Sequence, residues 1–167
     1  QNSLASRLLQ MSSDVQFVSD AKDVWAIVEG NERAVAAAFW EEFRQHNPLI
    51  AALPDDRKNE IISNTVTHIR SKYRSPFDPA WIGFLRQHVV DAVRSSIDPS
   101  RVTAGMTAAH RCVLDLVKNS CGGDIDRFAK AAYTLYLLSS LELEVVSGLG
   151  HAAMTLAQGK EQARVLA

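Results

Sequence analysis

Apolar side chains recur every three or four residues along almost the whole chain. That periodicity predicts an all-α fold. A short amphipathic lead-in covers residues 3–11, and a second helix over 20–29 buries Val24, Trp25, Ile27 and Val28 before Gly30 and Asn31 stop it. Asn31 is then the expected cap of a third helix that runs to about residue 46, with Val35, Phe39 and Phe43 on one face and Ala36 and Trp40 beside them. Asn47-Pro48 ends it.

The remaining elements are marked by proline. Pro54-Asp55-Asp56 opens a fourth helix that Ser75-Pro76 breaks. Its stripe of Ile62, Val66, Ile69 and Tyr73 adjoins a second stripe of Ile61, Asn64, Thr65 and His68, so its core-facing side is partly polar and its polar groups need partners. Asp78-Pro79 and Asp98-Pro99 open the fifth and sixth helices. The carboxylate accepts orphan amides of the first turn, and Pro at the first helical position lacks an amide that would go unpaired there. Trp81, Phe84, Leu85, His88 and Ala92 share one face of the fifth helix, and Val102, Met106, His110, Val113 and Val117 one face of the sixth. Cys121-Gly122-Gly123-Asp124 stops the sixth and caps the seventh.

The last helix bears on assembly. No proline follows Asp124, and residues 131–141 are apolar on nearly every face. A helix apolar all round must be covered on all sides. The domain's own core covers one side, and a two-fold homodimer through residues 99–120 and 124–158 is the economical cover for the other. The tail keeps good helix formers to its final residue, so residues 1–155 are expected to form the domain and 156–167 the start of a helical linker to an output module.

Composition narrows the function classes. Eighteen basic and nineteen acidic residues are mixed throughout, leaving a net charge of -1 and no field for gripping nucleic acid. No apolar run approaches the roughly 18 residues that span a bilayer, and no signal-peptide core is present, so a soluble cytoplasmic domain without membrane insertion is expected. Two cysteines, Cys112 and Cys121, make neither a disulfide framework nor a zinc site. There is no phosphate loop, nucleophile elbow, HExxH or EF-hand loop, and the carboxylate pairs Glu41-Glu42, Asp55-Asp56 and Glu142/Glu144 are expected at helix starts or on solvated faces. No enzyme is expected. The inward His88 is left with two readings, a core histidine bonded to a neighbour or a ligand to something bound. His46 and His151, near helix ends, are expected at the surface or an interface.

Several stretches together resemble a known family. These are FDPAW at 77–81, Arg94 two positions and Pro99 seven positions after Ala92, the Ala104-Gly105 pair, THIRSKYRSPFD around His68, and FWEEF at 39–43. In order and spacing they look like the globin domain of bacterial globin-coupled sensors, which include the haem-based aerotaxis transducers. The resemblance implies a globin-like fold of about seven helices without the short fourth helix of globins, dimerising through the last two. It also implies a haem b that reports oxygen to a methyl-accepting, cyclase or kinase module.

Position by position, the family's proximal histidine falls on Ala92, its distal tyrosine on Trp40, and its supporting Trp and Tyr on Arg101 and Val102. Asn64 falls where the family often places a hydrogen-bonding residue. Alanine cannot ligate iron and an indole offers no lone pair. His88 lies one turn before Ala92 on the same face, about 6 Å along the axis, which makes it the candidate iron ligand, with His68 or His110 as a possible second. The expected pocket is therefore lined by His88, Trp40, Asn64, Ala92 and His68. The expected function is that of a sensory domain of a signalling protein, a chemotaxis transducer or cyclase type. A haem-free globin-like interaction or dimerisation domain is the alternative.

Overall fold

The computed structural model describes residues 4–45, 47–95 and 97–165, which form eight helices and no strand. They are α1 (Leu4–Ser12), α2 (Val15–Val28), α3 (Glu32–Gln45), α4 (Pro48–Ala51), α5 (Asp55–Arg74), α6 (Ala80–Arg94), α7 (Pro99–Cys121) and α8 (Ile125–Val165). No helix among the described residues is long and apolar enough to cross a membrane. His46 lies outside the described residues, and His151 is exposed.

Local chemistry explains where the boundaries differ from expectation. The second helix starts five residues early because Asp14 caps it, its Oδ1 accepting from the amides of Gln16 and Phe17 at 3.0 Å each. The early turn also buries Phe17, which with Ala21, Val24 and Val28 makes one continuous face. Asn31 stands in the cap position of α3, its carbonyl accepting from the Ala34 and Val35 amides at 3.0 and 3.1 Å, while its Nδ2 turns back and donates to the Ile27 carbonyl at 3.1 Å. Asn47-Pro48 stops α3 as expected but also starts α4, a single turn in which the Asn47 Oδ1 accepts from the Ile50 amide at 3.3 Å. Asp98-Pro99 opens α7 as expected, Asp98 accepting from Ser100 at 2.9 Å, whereas α6 starts one residue later, at Ala80, with Pro79 in the cap position and Asp78 accepting from the Ala80 amide at 2.9 Å. Gly122, at φ +57°, ends α7 in the left-handed conformation that glycine adopts without penalty.

α3 packs mainly on α7 and α5, while α8 runs across α7, α6 and α2. The core has two parts. One gathers Val24 and Val28 of α2, Val35 of α3, Ile69 and Tyr73 of α5, Val113 and Val117 of α7, and Leu135 and Leu138 of α8. The other gathers Leu8, Trp40, Phe43, Trp81, Leu85, Val89, Val102, Leu141 and Val145. Met11 and Ile62 pack against both. Trp81 is fully buried, and its indole N–H donates to the Pro76 carbonyl at 2.9 Å, so the chain before α6 is tied to the helix it opens. Phe84, expected on the inner face of α6, is 41% exposed.

α8 is less uniformly covered than its composition implies. Ala131, Thr134, Leu135, Leu138, Leu141, Glu142, Val145 and Val146 are buried within the domain. Ile125, Tyr133, Tyr136 and Leu143 are exposed. At 100° per residue these four fall within an arc of about 80°, so the uncovered apolar surface is a stripe down one side of the helix.

Candidate functional site

The helices leave a cavity of about 460 Å³. α3 contributes Phe39 and Phe43, the α4 region Leu49, Ile50 and Leu53, and α5 Ile61, Asn64 and Thr65. His88, Asp91, Ala92 and Ser95 of α6 face them, and Ile97 and Val102 complete the wall. The two phenyl rings are stacked, 5.5 Å apart at 23°. Phe39 is seated by Gly105 of α7: a Cβ there would stand 2.7 and 2.8 Å from the ring's Cε2 and Cδ2. The missing side chain thus lets α3 and α7 close up and fixes the ring that lines the cavity. At the rim Arg57 is ion-paired with Glu60, and Asp91 accepts from Gln87. The Arg57 and Glu60 charges compensate each other, and the wall of the cavity is mainly apolar.

His88 is the cavity's chemical feature. Burial, reinforced by the neighbouring His68, pushes its pKa below the usual imidazole value against a weaker opposite pull from Asp91. The ring is therefore neutral near pH 7, with one nitrogen lone pair available. Its ring centroid lies 6.0 Å from that of His68. Both rings also line a second, smaller cavity of about 40 Å³, together with Thr65, Lys72, Tyr73, Met106, His110 and Glu142.

Behind His88 lies a buried polar cluster. Lys72 of α5 donates to Glu142 Oε2 of α8 at 2.6 Å, and His68 Nε2 lies 3.2 Å from Glu142 Oε1. All three side chains are buried. Burial alone would push the Glu142 carboxyl up, but the Lys72 ammonium and the His68 contact outweigh it and hold the pKa at about 2. Burial likewise opposes the Lys72 charge, yet the attraction of Glu142 leaves its pKa raised. Lys72 also sits 4.8 Å above the centre of the Tyr73 ring. His68 Nδ1 is buried without a hydrogen-bond partner among the described residues. His110 is engaged separately, its Nδ1 2.7 Å from the Ser139 hydroxyl.

His88, Ala92 and Asn64 all line the large cavity, the first two one turn apart on the same wall. His68 adjoins His88 but faces the small cavity, as does His110, so neither lines the space that a ligand on His88 would occupy. Trp40 is not in the wall: it is buried in the second part of the core with Trp81 and Leu85, where its bulk fills space between helices instead of the cavity. Glu142, expected on a solvated face, is 5% exposed. Its helical neighbours Leu138, Leu141, Val145 and Val146 are all apolar, so a lone carboxylate among them signalled a buried partner. Lys72, between Ile69 and Tyr73 on the buried stripe, carried the complementary signal. Among the described residues no three His, Cys, Asp or Glu side chains gather as a metal cage. No protein-family model, curated protein or solved structure matches the chain.

Proposed function

We propose that this chain is a globin-like sensory domain of a bacterial signalling protein, of the chemotaxis-transducer or cyclase type. An occupant of the large cavity changes the packing of α3, α5 and α6, and the change leaves through α8. The observation that carries this reading is the cavity itself, about 460 Å³ with a neutral histidine in its wall. The apolar side chains in its wall gain burial when something occupies it. The distal bulk that would close the cavity, Trp40, is turned into the core.

The residues present fit a haem. His88 offers a neutral imidazole whose ring makes no hydrogen bond among the described residues, the donor that haem iron takes from a globin-type site. Phe39, Phe43, Ile61, Ile97 and Val102 offer apolar surface to a macrocycle, and Asn64 offers an amide donor. Haem, when bound, would supply an iron atom able to take a small gaseous ligand. Ala92 supplies room and no ligand.

Homodimerisation belongs to the same reading. Ile125, Tyr133, Tyr136 and Leu143 form an apolar stripe on the helix that the family uses to pair subunits. A change of packing inside one domain would then reset the angle between two paired α8 helices.

The test is the visible absorption spectrum after haemin addition to wild type, His88→Ala and Ala92→His. A sharp Soret band in wild type that His88→Ala abolishes is the expected result. A band that survives His88→Ala removes His88 from the ligand role. No band in wild type, with one in Ala92→His, would mean a cavity that admits a porphyrin but works without it, and a different occupant. No band in any of the three would turn the reading toward a haem-free interaction domain.

A further inference from the structure

The buried His68 ring has one nitrogen too few partners. Its Nε2 faces the Glu142 carboxylate, which only accepts hydrogen bonds, so Nε2 carries a proton. Nδ1 is sealed from solvent and has no hydrogen-bond partner among the described residues. Leaving a buried polar atom bare is costly. The surrounding groups offer no relief: the Thr65 hydroxyl donates to the Ile61 carbonyl, and the Lys72 ammonium is committed to Glu142. What adjoins His68 is the small cavity, about 40 Å³, which His88, Tyr73 and His110 also line. A water needs roughly 10–15 Å³ by the same measure and two to four polar partners. The space and the partners are both there.

We propose that the small cavity is a hydration site in which one ordered water donates to His68 Nδ1 and meets the His88 ring, joining the large cavity to helix α8 through His88, water, His68 and Glu142. The chain is short: the ring centroids lie 6.0 Å apart, edge to face, close enough for one water beside the rings to reach a nitrogen of each, and His68 Nε2 lies 3.2 Å from Glu142 Oε1. It gives the fold a polar path from the cavity wall to α8 that no apolar packing would supply. A group that bonds one His88 nitrogen from the large cavity changes the tautomer and acidity of the ring, and so the hydrogen bond that its other nitrogen makes to the water and, through His68, to Glu142 of α8. The hydration site stands whatever occupies the large cavity; only its signalling meaning rests on the proposed sensory function.

Long-range proton–nitrogen spectroscopy on the full chain, with the histidines nitrogen-labelled, tests it without any ligand. His68 Nδ1 should resonate as an unprotonated nitrogen that accepts a hydrogen bond, and magnetisation should pass from a long-lived water to the Met106 methyl and the His88 ring protons. His68→Phe keeps an aromatic ring in place but removes the acceptor. It should abolish the water contact and shift the His88 tautomer ratio by about fivefold, the effect of one hydrogen bond. His68→Leu, which also lacks an acceptor, repeats the measurement if the Phe variant does not fold. A His68 Nδ1 with the shift of a free lone pair, or no water contact in wild type, overturns the hydration site. An unchanged His88 tautomer ratio in either variant overturns the bridge. Haemin binding does not enter these readouts, so a failure of the sensory reading and a failure of the water bridge are seen separately.

Discussion

Removing Glu142 should be among the most damaging single changes in this domain. The carboxyl is held at about 2 against an ordinary 4.5, and a shift of that size corresponds to about 3 kcal/mol of stability at neutral pH. Breaking a buried pair from one side gives the same scale, about 3–5 kcal/mol, because the partner charge stays behind. Glu142→Gln keeps the shape and leaves the Lys72 ammonium buried beside a neutral amide; Lys72→Met leaves the carboxylate with only His68. Each single variant should lose about 3 kcal/mol. Lys72→Met with Glu142→Leu removes both charges, and its remaining penalty is the His68 N–H left without an acceptor, about 1–3 kcal/mol. It should therefore be no less stable than either single variant, and far more stable than their sum.

The assay is urea unfolding at pH 7 followed by circular dichroism, where extrapolation errors of about 10–15% leave a difference of this size clear. The pH dependence adds a second readout. Because the folded pKa of Glu142 is depressed, its stabilisation is complete above about 4.5 and is lost as pH falls toward about 2. Buried Glu32, held below its usual value by its own backbone amide and by Arg70 against the cost of burial, adds a loss of the same sign. The double variant should lack the Glu142 part of the acid-induced fall. A Glu142→Gln protein within about 1 kcal/mol of wild type, or single effects that simply add in the double variant, would refute the claim that Lys72 and Glu142 act as one buried unit.

Three further outcomes are expected. Gly105→Ala brings a Cβ to 2.7–2.8 Å from the Phe39 ring, so the ring must move by about 0.7 Å to regain ordinary contact. Overpacking of about 1–3 kcal/mol, offset by about 1 kcal/mol of better helix propensity, should leave a net loss of about 0–2 kcal/mol by urea unfolding. Asp98→Ala removes the side-chain acceptor of the Ser100 amide and should cost about 1 kcal/mol, while Asp98→Asn, which keeps a capping oxygen, should cost much less. Tyr136→Lys should change stability by less than about 0.5 kcal/mol, since the residue is 64% exposed, yet shift sedimentation toward monomer; an unchanged association state would remove this stripe from the dimer contact.

The sequence made the helices legible because their signals are local. The Asp-Pro pairs, the glycines at 122–123 and the apolar spacing each act within one or two turns: Asp98 caps α7, and Asp78 accepts the first amide of α6 from one residue before its cap position. The missed start of α2 is local too: Asp14 followed by Val15, Gln16 and Phe17 is a cap before a buried aromatic, obscured because the exposed Val15 blurs the apolar face. Site geometry is another matter. That His88 and Ala92 share a wall follows from helical spacing, but that Trp40 leaves the wall depends on how α3 is rotated against α7. Gly105 sets that approach from a different helix, about 65 residues away in the chain. No periodicity encodes such a contact.

The buried cluster shows how the two kinds of information meet. Lys72 and Glu142 each sit on an apolar stripe where a charge is costly, and each position alone reads as an error of pattern. Read together they are complementary charges on faces that must both be buried, and so they specify a contact between α5 and α8 across 70 residues of chain. Apolar surfaces alone would let α8 slide along its neighbours with little change in buried area. A single ion pair in a dry core fixes the register, because a shift of one turn, about 5.4 Å, would strand both charges. The same pair places Glu142 beside His68 and so beside His88. The device that sets the position of the longest helix is therefore also the polar contact that connects this helix to the cavity.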